Sequence, residues 1–210
     1  MTTAGSSLAV RFERSELALA HVNRTAARFA AETSHSRRRR VAPASRVLAT
    51  APPSPYQESW NVSRVEDALV RLIAIAEEFT HGLLLELTDL KLPDDPRVAV
   101  LWDAHVDRET DTWEQRIATW RLVHTINIPS SPRYDLLFAF IQARNAIVHG
   151  LGSLTRKQLR DRTKSVARLR TAHIPVSGDR LVLSEGHVGR CADAVRTLIR
   201  WLDEAAANVS

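Results

Sequence analysis

Arg144, Asn145 and His149 lie close together in "RNAIVHGLG", and between them they hold what chemistry on a phosphate ester requires. An imidazole moves protons near neutral pH, a guanidinium holds a phosphate and offsets charge growing on it, and a carboxamide orients either partner. The stretch closes the segment "SPRYDLLFAFIQARNAIVHG", which carries a helical pattern. At about 100° per residue, Leu136, Leu137, Phe140, Ile141, Ile147 and Val148 fan around one side and Arg144 points into the middle of the fan. Asn145 and His149, four residues apart, stack on one face at its border. A guanidinium buried without a partner costs several kcal/mol, so Arg144 needs a carboxylate, a polar interface or an anionic ligand.

Two carboxylates of the chain could serve. Glu77 and Glu66 fall near the edge of the apolar face of a helix over residues 64–87, which leaves a structural ion pair open as the reason for Arg144. His149 can likewise be read as a last-turn residue that favours the helix dipole and leads into Gly150 as the C-cap. Arg156, Lys157 and Arg160 follow closely and could hold an anionic backbone, or form an ordinary exposed helix face. Nothing in this set calls for a metal or a cofactor. The eight histidines are scattered without ligand spacing, and there is neither a Gly-rich phosphate loop nor a nucleophilic serine motif.

The elements that must position these groups are helices. Residues 6–33 carry Leu8, Phe12, Leu19, Val22, Ala26 and Phe29 at spacings of three and four, with Ser15 breaking the stripe, which predicts an amphipathic N-terminal arm packing on its own domain or on a partner chain. A stretch with the arginine run Arg37 to Arg40 and Pro43, Pro52, Pro53 and Pro55 reads as a linker; the run is either a phosphate-binding tether or a solvated charge cluster. Beyond it, Ser63 with Glu66 predicts a capped helix bearing Val65, Leu69, Leu72, Ala76, Phe79 and Leu83. A short segment spans residues 98–105. A helix starts near Asp111 with Glu114 completing a capping box and carries Trp113, Ile117, Trp120 and His124. Thr155 and Gln158 form a further box, Ser177, Gly178 and Asp179 a hairpin turn, and Ser184 caps a final helix with Val188, Cys191, Val195, Leu198, Ile199 and Leu202. The fold class is therefore all-α: a helical bundle with a small β-hairpin before the last helix, divided into an arm (1–34), a basic Pro-rich linker (35–60) and a helical domain (61–208).

Composition sets the outer bounds. The chain has 210 residues, 44% hydrophobic and 25% charged, which suits one globular domain with an extension and excludes disorder throughout. Lys and Arg exceed Asp and Glu by 29 to 24, a mild bias toward polyanionic partners. The single cysteine, Cys191, falls on an apolar face and suits a reducing compartment. No apolar run approaches the roughly 20 residues of a membrane span, so the cytoplasm is the expected location.

"RNAIVHGLG" also resembles the signature of the HEPN superfamily, in which an Arg, a polar residue and then a His lie near the end of one bundle helix. Arg144, Asn145 and His149 match it position by position, and Gly152 sits where bacterial members often carry glycine. The flanks "TWEQRIATWRLVHTINI" and "IPVSGDRLVLSEGHVGRCADAVRTLIRWL" resemble those of RiboL-PSP-type HEPN proteins, and the likeness covers about residues 60–208. The resemblance implies a metal-independent endoribonuclease of the toxin–antitoxin or antiphage-defence kind. It implies a homodimer whose two motifs face one cleft, RNA as substrate, and an antitoxin protein as a further partner. His149 would act as general base or acid, Arg144 would stabilise the phosphorane and Asn145 would position them. The alternative is a non-catalytic HEPN module that binds a nucleotide, RNA or a protein; a helical interaction protein acting through its N-terminal stripe is a third reading.

Overall fold

The computed structural model describes residues 4–41, 55–90, 100 and 112–208, with the side chains of 4–12, 35–41 and 55–61 left aside. It is an all-α bundle. Three long helices make its frame: α1 (Ala4–Val41), α2 (Pro55–Asp89) and α7 (Glu185–Ala207). Between α2 and α7 come α3 (Trp113–His124), a 3-10 turn (Ile128–Ser130), α4 (Tyr134–Gly150), α5 (Arg156–Arg160), α6 (Arg162–Thr171), and the antiparallel pair β1 (Val176–Ser177) and β2 (Arg180–Leu181). No helix among the described residues is long and apolar enough to cross a membrane.

Helical spacing explains the core. α2 buries Leu69, Leu72, Ile73, Ala76, Phe79, Leu83, Leu84 and Leu87, and α7 buries Val188, Cys191, Ala192, Val195, Leu198, Ile199 and Leu202. These wide stripes pack against each other and against α4, whose Leu137, Phe140, Ile141, Ala143 and Ala146 are buried. α1 lies along α2 and α7 with Val22 buried and Leu19, Ala26 and Phe29 packed against the core, so this part of the N-terminal stripe packs on its own domain. Ser15, the break in that stripe, is buried as well. Burial pushes the Cys191 thiol far up, which leaves it an inert core group.

Three boundaries differ from the sequence reading. Helix claims residues 35–41 and 55–60 of the expected linker: arginine is a good helix former, and the first proline comes only at Pro43. Residues 42–54, and the expected segment at 98–105 apart from Val100, lie outside the described residues. Ser63 is interior to α2 and caps nothing, because α2 starts at Pro55, a residue suited to a first helical turn where its missing N–H costs no bond. The box of α3 is shifted by one: the Thr112 hydroxyl accepts from the Gln115 N–H at 3.2 Å and the Gln115 side chain accepts from the Thr112 N–H at 3.0 Å.

The other caps follow the sequence. Thr155 and Gln158 form their box at the start of α5, and Ser184 caps α7 with His187 as the reciprocal partner. The hairpin turns through Gly178, whose φ of 58° needs no side chain to be accommodated. His124, fully buried, meets the Thr88 hydroxyl at 3.0 Å while Thr88 donates to the Leu84 carbonyl, so this histidine ties α3 to α2.

Candidate active site

α4 owes its place to its two ends. Pro129 and Pro132 stop the chain from continuing the preceding helix, and the buried face from Leu137 to Ala146 then docks on α2 and α7. At its C-terminus the expected cap is displaced. Gly150 is the last helical residue, and Leu151 takes the left-handed position at φ 51°, with its N–H bonded to the Ala146 carbonyl. A leucine there costs about 1–2 kcal/mol relative to a right-handed residue. Gly152 follows at φ 82°, buried, also bonded to the Ala146 carbonyl at 3.1 Å.

The helix holds Arg144, Asn145 and His149 as one group. The Arg144 Nη1 donates to Asn145 Oδ1 at 3.3 Å and stands 3.5 Å from His149 Nε2, the outer limit of a hydrogen bond. If that nitrogen accepts, the ring proton is on Nδ1. Arg144 and Asn145 are half-buried and His149 is exposed. The direction of Arg144 that periodicity left unexplained is that of a cleft of about 620 Å³.

Glu77 is the carboxylate that reaches Arg144, with Oε2 at 3.8 Å from Nη2, each side chain about a quarter exposed. The contact is long and single, and the Arg144 Nε, itself buried, has no hydrogen-bond partner. The guanidinium is thus only partly neutralised. Glu66 is not a partner. It lies three turns from Glu77, about 16 Å along α2 at ~1.5 Å per residue. There its Oε1 stands 2.9 Å from where a Cβ on Gly152 would be, with Arg180 beside it. Burial raises the Glu66 carboxyl above the ordinary range, opposed by Arg180.

The cleft is a meeting of five helices. α2 contributes Glu77; α3 contributes Trp113, Glu114 and Arg116; α4 contributes Ile141 and Gln142 beside the three motif residues. α5 contributes Lys157 and Gln158, the latter binding the Gln142 carbonyl at 2.9 Å. Of the three cations expected to guide RNA, Lys157 lines the cleft; Arg156 and Arg160 are exposed and line none of it.

Sequence reading passed over Arg116, Lys164 and Arg168, all of which face the cleft. The signal was available: Asp161, Lys164, Ser165 and Arg168 stand at i, i+3, i+4 and i+7, one stripe of α6. Among the described residues the lining holds five cationic side chains against three carboxylates, Glu77, Glu114 and Asp161. No group of three or more His, Cys, Asp or Glu able to hold a metal ion occurs among the described residues. Chemically the site can attract an anion, hold it with guanidinium and ammonium groups, and offer an imidazole to it.

Fold and site together define an all-α bundle carrying a basic cleft with an Arg-Asn-His wall. Compared with family models, curated proteins and solved structures, the chain matches none.

Proposed function

We propose that the protein is an endoribonuclease of the HEPN, RiboL-PSP-like kind, a toxin or antiphage-defence effector that needs no metal ion for its chemistry. The observation that supports this most is the clustering of Arg144, Asn145 and His149 on the wall of a net-positive cleft. In the proposed reaction a ribose 2′-oxygen attacks the adjacent phosphorus and the bond to the 5′-oxygen breaks. His149 takes the 2′-hydroxyl proton or supplies one to the leaving 5′-oxygen, Arg144 carries charge on the phosphorane oxygens, and Asn145 fixes the guanidinium. The ends are a 2′,3′-cyclic phosphate and a 5′-hydroxyl, and DNA is left uncut. The working form is a homodimer, the two copies meeting at the motif end of α4; exposed Val148 and Leu151 beside His149, Leu151 at 85% exposure, are apolar surface suited to this. RNA, an antitoxin protein and a cytoplasmic location complete the proposal.

A second reading has its own support. The Glu77–Arg144 contact gives the arginine an intramolecular role, as a non-catalytic module that binds a nucleotide, RNA or a protein would have. One assay separates the two: incubation of the full chain with single-stranded RNA in EDTA, with His149→Ala beside it. The ribonuclease reading expects cleavage that falls about 10²–10⁴-fold in His149→Ala. Cleavage indifferent to that change sinks the site assignment; intact RNA together with measurable nucleotide or protein binding favours the second reading.

A further inference from the structure

Lys164 and Arg168 line the cleft from a different helix than the motif, and nothing in the reaction above uses them. They stand one turn apart on α6, on the stripe that lines the cleft. Neither has a carboxylate within salt-bridge distance among the described residues, and the nearest acid on the stripe is committed: Asp161 accepts the backbone N–H of Lys164 at 3.1 Å as the helix cap. The opposite face of α6 is treated otherwise. Arg162 donates to Asp179 at 3.1 Å and to the Gly178 carbonyl, which fastens the hairpin turn. α6 therefore spends one arginine on structure and turns two cations without ion pairs toward the cleft.

Arg168 is held in place. Its guanidinium carbon lies 4.9 Å from the centre of the Phe138 ring, and Phe138 stacks on Tyr134 at 5.7 Å. Backed by an aromatic ring, the guanidinium loses little conformational freedom when it takes a ligand. Arg116, which lines the same cleft, is held in a similar way, 5.8 Å from the Trp113 ring with one nitrogen on the Glu77 carbonyl. Phe138 precedes Arg144 by six residues of α4, about 9 Å along the axis at ~1.5 Å each.

We infer that Lys164 and Arg168, with Arg116 lining the same cleft, form a second phosphate subsite that holds the backbone of a single-stranded RNA beyond the phosphate at Arg144. The inference rests on the RNA reading above and adds to it a strand direction across the cleft, from the end of α4 toward α6. The subsite reads charge, not base identity, so it sets a minimum substrate length more than a sequence.

The test uses the full chain and a six-nucleotide 2′-O-methyl RNA, which lacks the attacking hydroxyl and stays intact while binding is followed over a salt series. Removing one phosphate contact lowers the slope of log affinity against log salt by about 0.7 for a single strand. Lys164→Gln is expected to show that loss and Lys164→Gln/Arg168→Gln about twice it, while Arg162→Gln, on the opposite face, leaves the slope alone. Lys164 is exposed, so its single variant reports even if the Arg168 change disturbs packing on Phe138. An unchanged slope in both α6 variants, or an equal drop in Arg162→Gln, overturns the subsite. Failure of the ribonuclease reading looks different: unmodified RNA then stays whole in wild type, whatever the slopes.

Discussion

The arginines on the α1 side of the bundle and those in the cleft are the same residue put to opposite uses. Along α1, Arg14 meets Glu86 at 3.3 Å, and Arg28 and Arg64 share Glu32 at 2.9 and 3.3 Å. Arg64 also lies 5.6 Å from the Phe29 ring. In the cleft, Arg144 reaches one carboxylate at 3.8 Å, and Lys164 and Arg168 form no ion pair among the described residues. Both groups mix exposed and part-buried side chains, so exposure does not tell them apart. What separates them is whether a carboxylate already answers the charge, because an answered guanidinium has little left for a ligand and an unanswered one in a cleft still attracts anions.

That contrast can be broken most directly by removing one arginine from each side. Arg144→Ala is expected to lower RNA cleavage by about 10²–10³-fold, the scale of one lost oxyanion donor, with little change in melting temperature. Arg64→Ala is expected to do the reverse: cleavage is kept and stability falls by about 1–2 kcal/mol through lost packing on Phe29, read as a lower Tm. The contrast fails if the two variants exchange phenotypes.

The next effect lies in the backbone after the motif. Gly152 stands at φ 82° with Glu66 Oε1 2.9 Å from the place of a Cβ, so Gly152→Ala combines a left-handed alanine with a clash. A loss of about 1–3 kcal/mol is expected in thermal or urea unfolding. An unaltered Tm would show that Glu66 and its turn yield freely.

Glu77→Gln sharpens the comparison from the other direction. It takes the carboxylate from Arg144 and converts a half-answered guanidinium into an unanswered one. Affinity for the 2′-O-methyl strand is expected to rise up to about fivefold, since a single long pair of this kind is worth up to ~1 kcal/mol. No gain would mean that Glu77 does not compete with the ligand.

The smallest effect concerns pH. Glu32 is held below the ordinary carboxylate range, first by its hydrogen bond from Arg28, which outweighs the desolvation that opposes it, and further by the charges of Arg64 and Arg28. A depressed folded pKa contributes stability that is present above the unfolded value of 4.5 and is lost as pH falls through the folded one. The Glu32 carboxylate itself is exposed, so Glu32→Gln is expected to cost well under ~1 kcal/mol at neutral pH and nothing in strong acid. Glu66, raised by burial, has the opposite sign: the folded state gains relative stability as pH drops through its range. Unfolding curves of Glu32→Gln and Glu66→Gln against pH separate the two.

The amino-acid sequence by itself determined the helices, their buried stripes, the box at Thr155, the cap at Ser184, the turn at Gly178 and the placement of Arg144, Asn145 and His149 on one helix end. Each of these depends on residues within a turn or two of one another, where spacing and propensity decide. Only the tertiary structure decided which glutamate meets Arg144, since Glu77 and Glu66 share the helix edge and differ in what is packed across from them. It also brought Lys164 and Arg168 to the motif's cleft. Periodicity says which residues share a face; which face a helix turns toward another is set by the packing of α2, α4, α6 and α7 together, a choice no single segment carries.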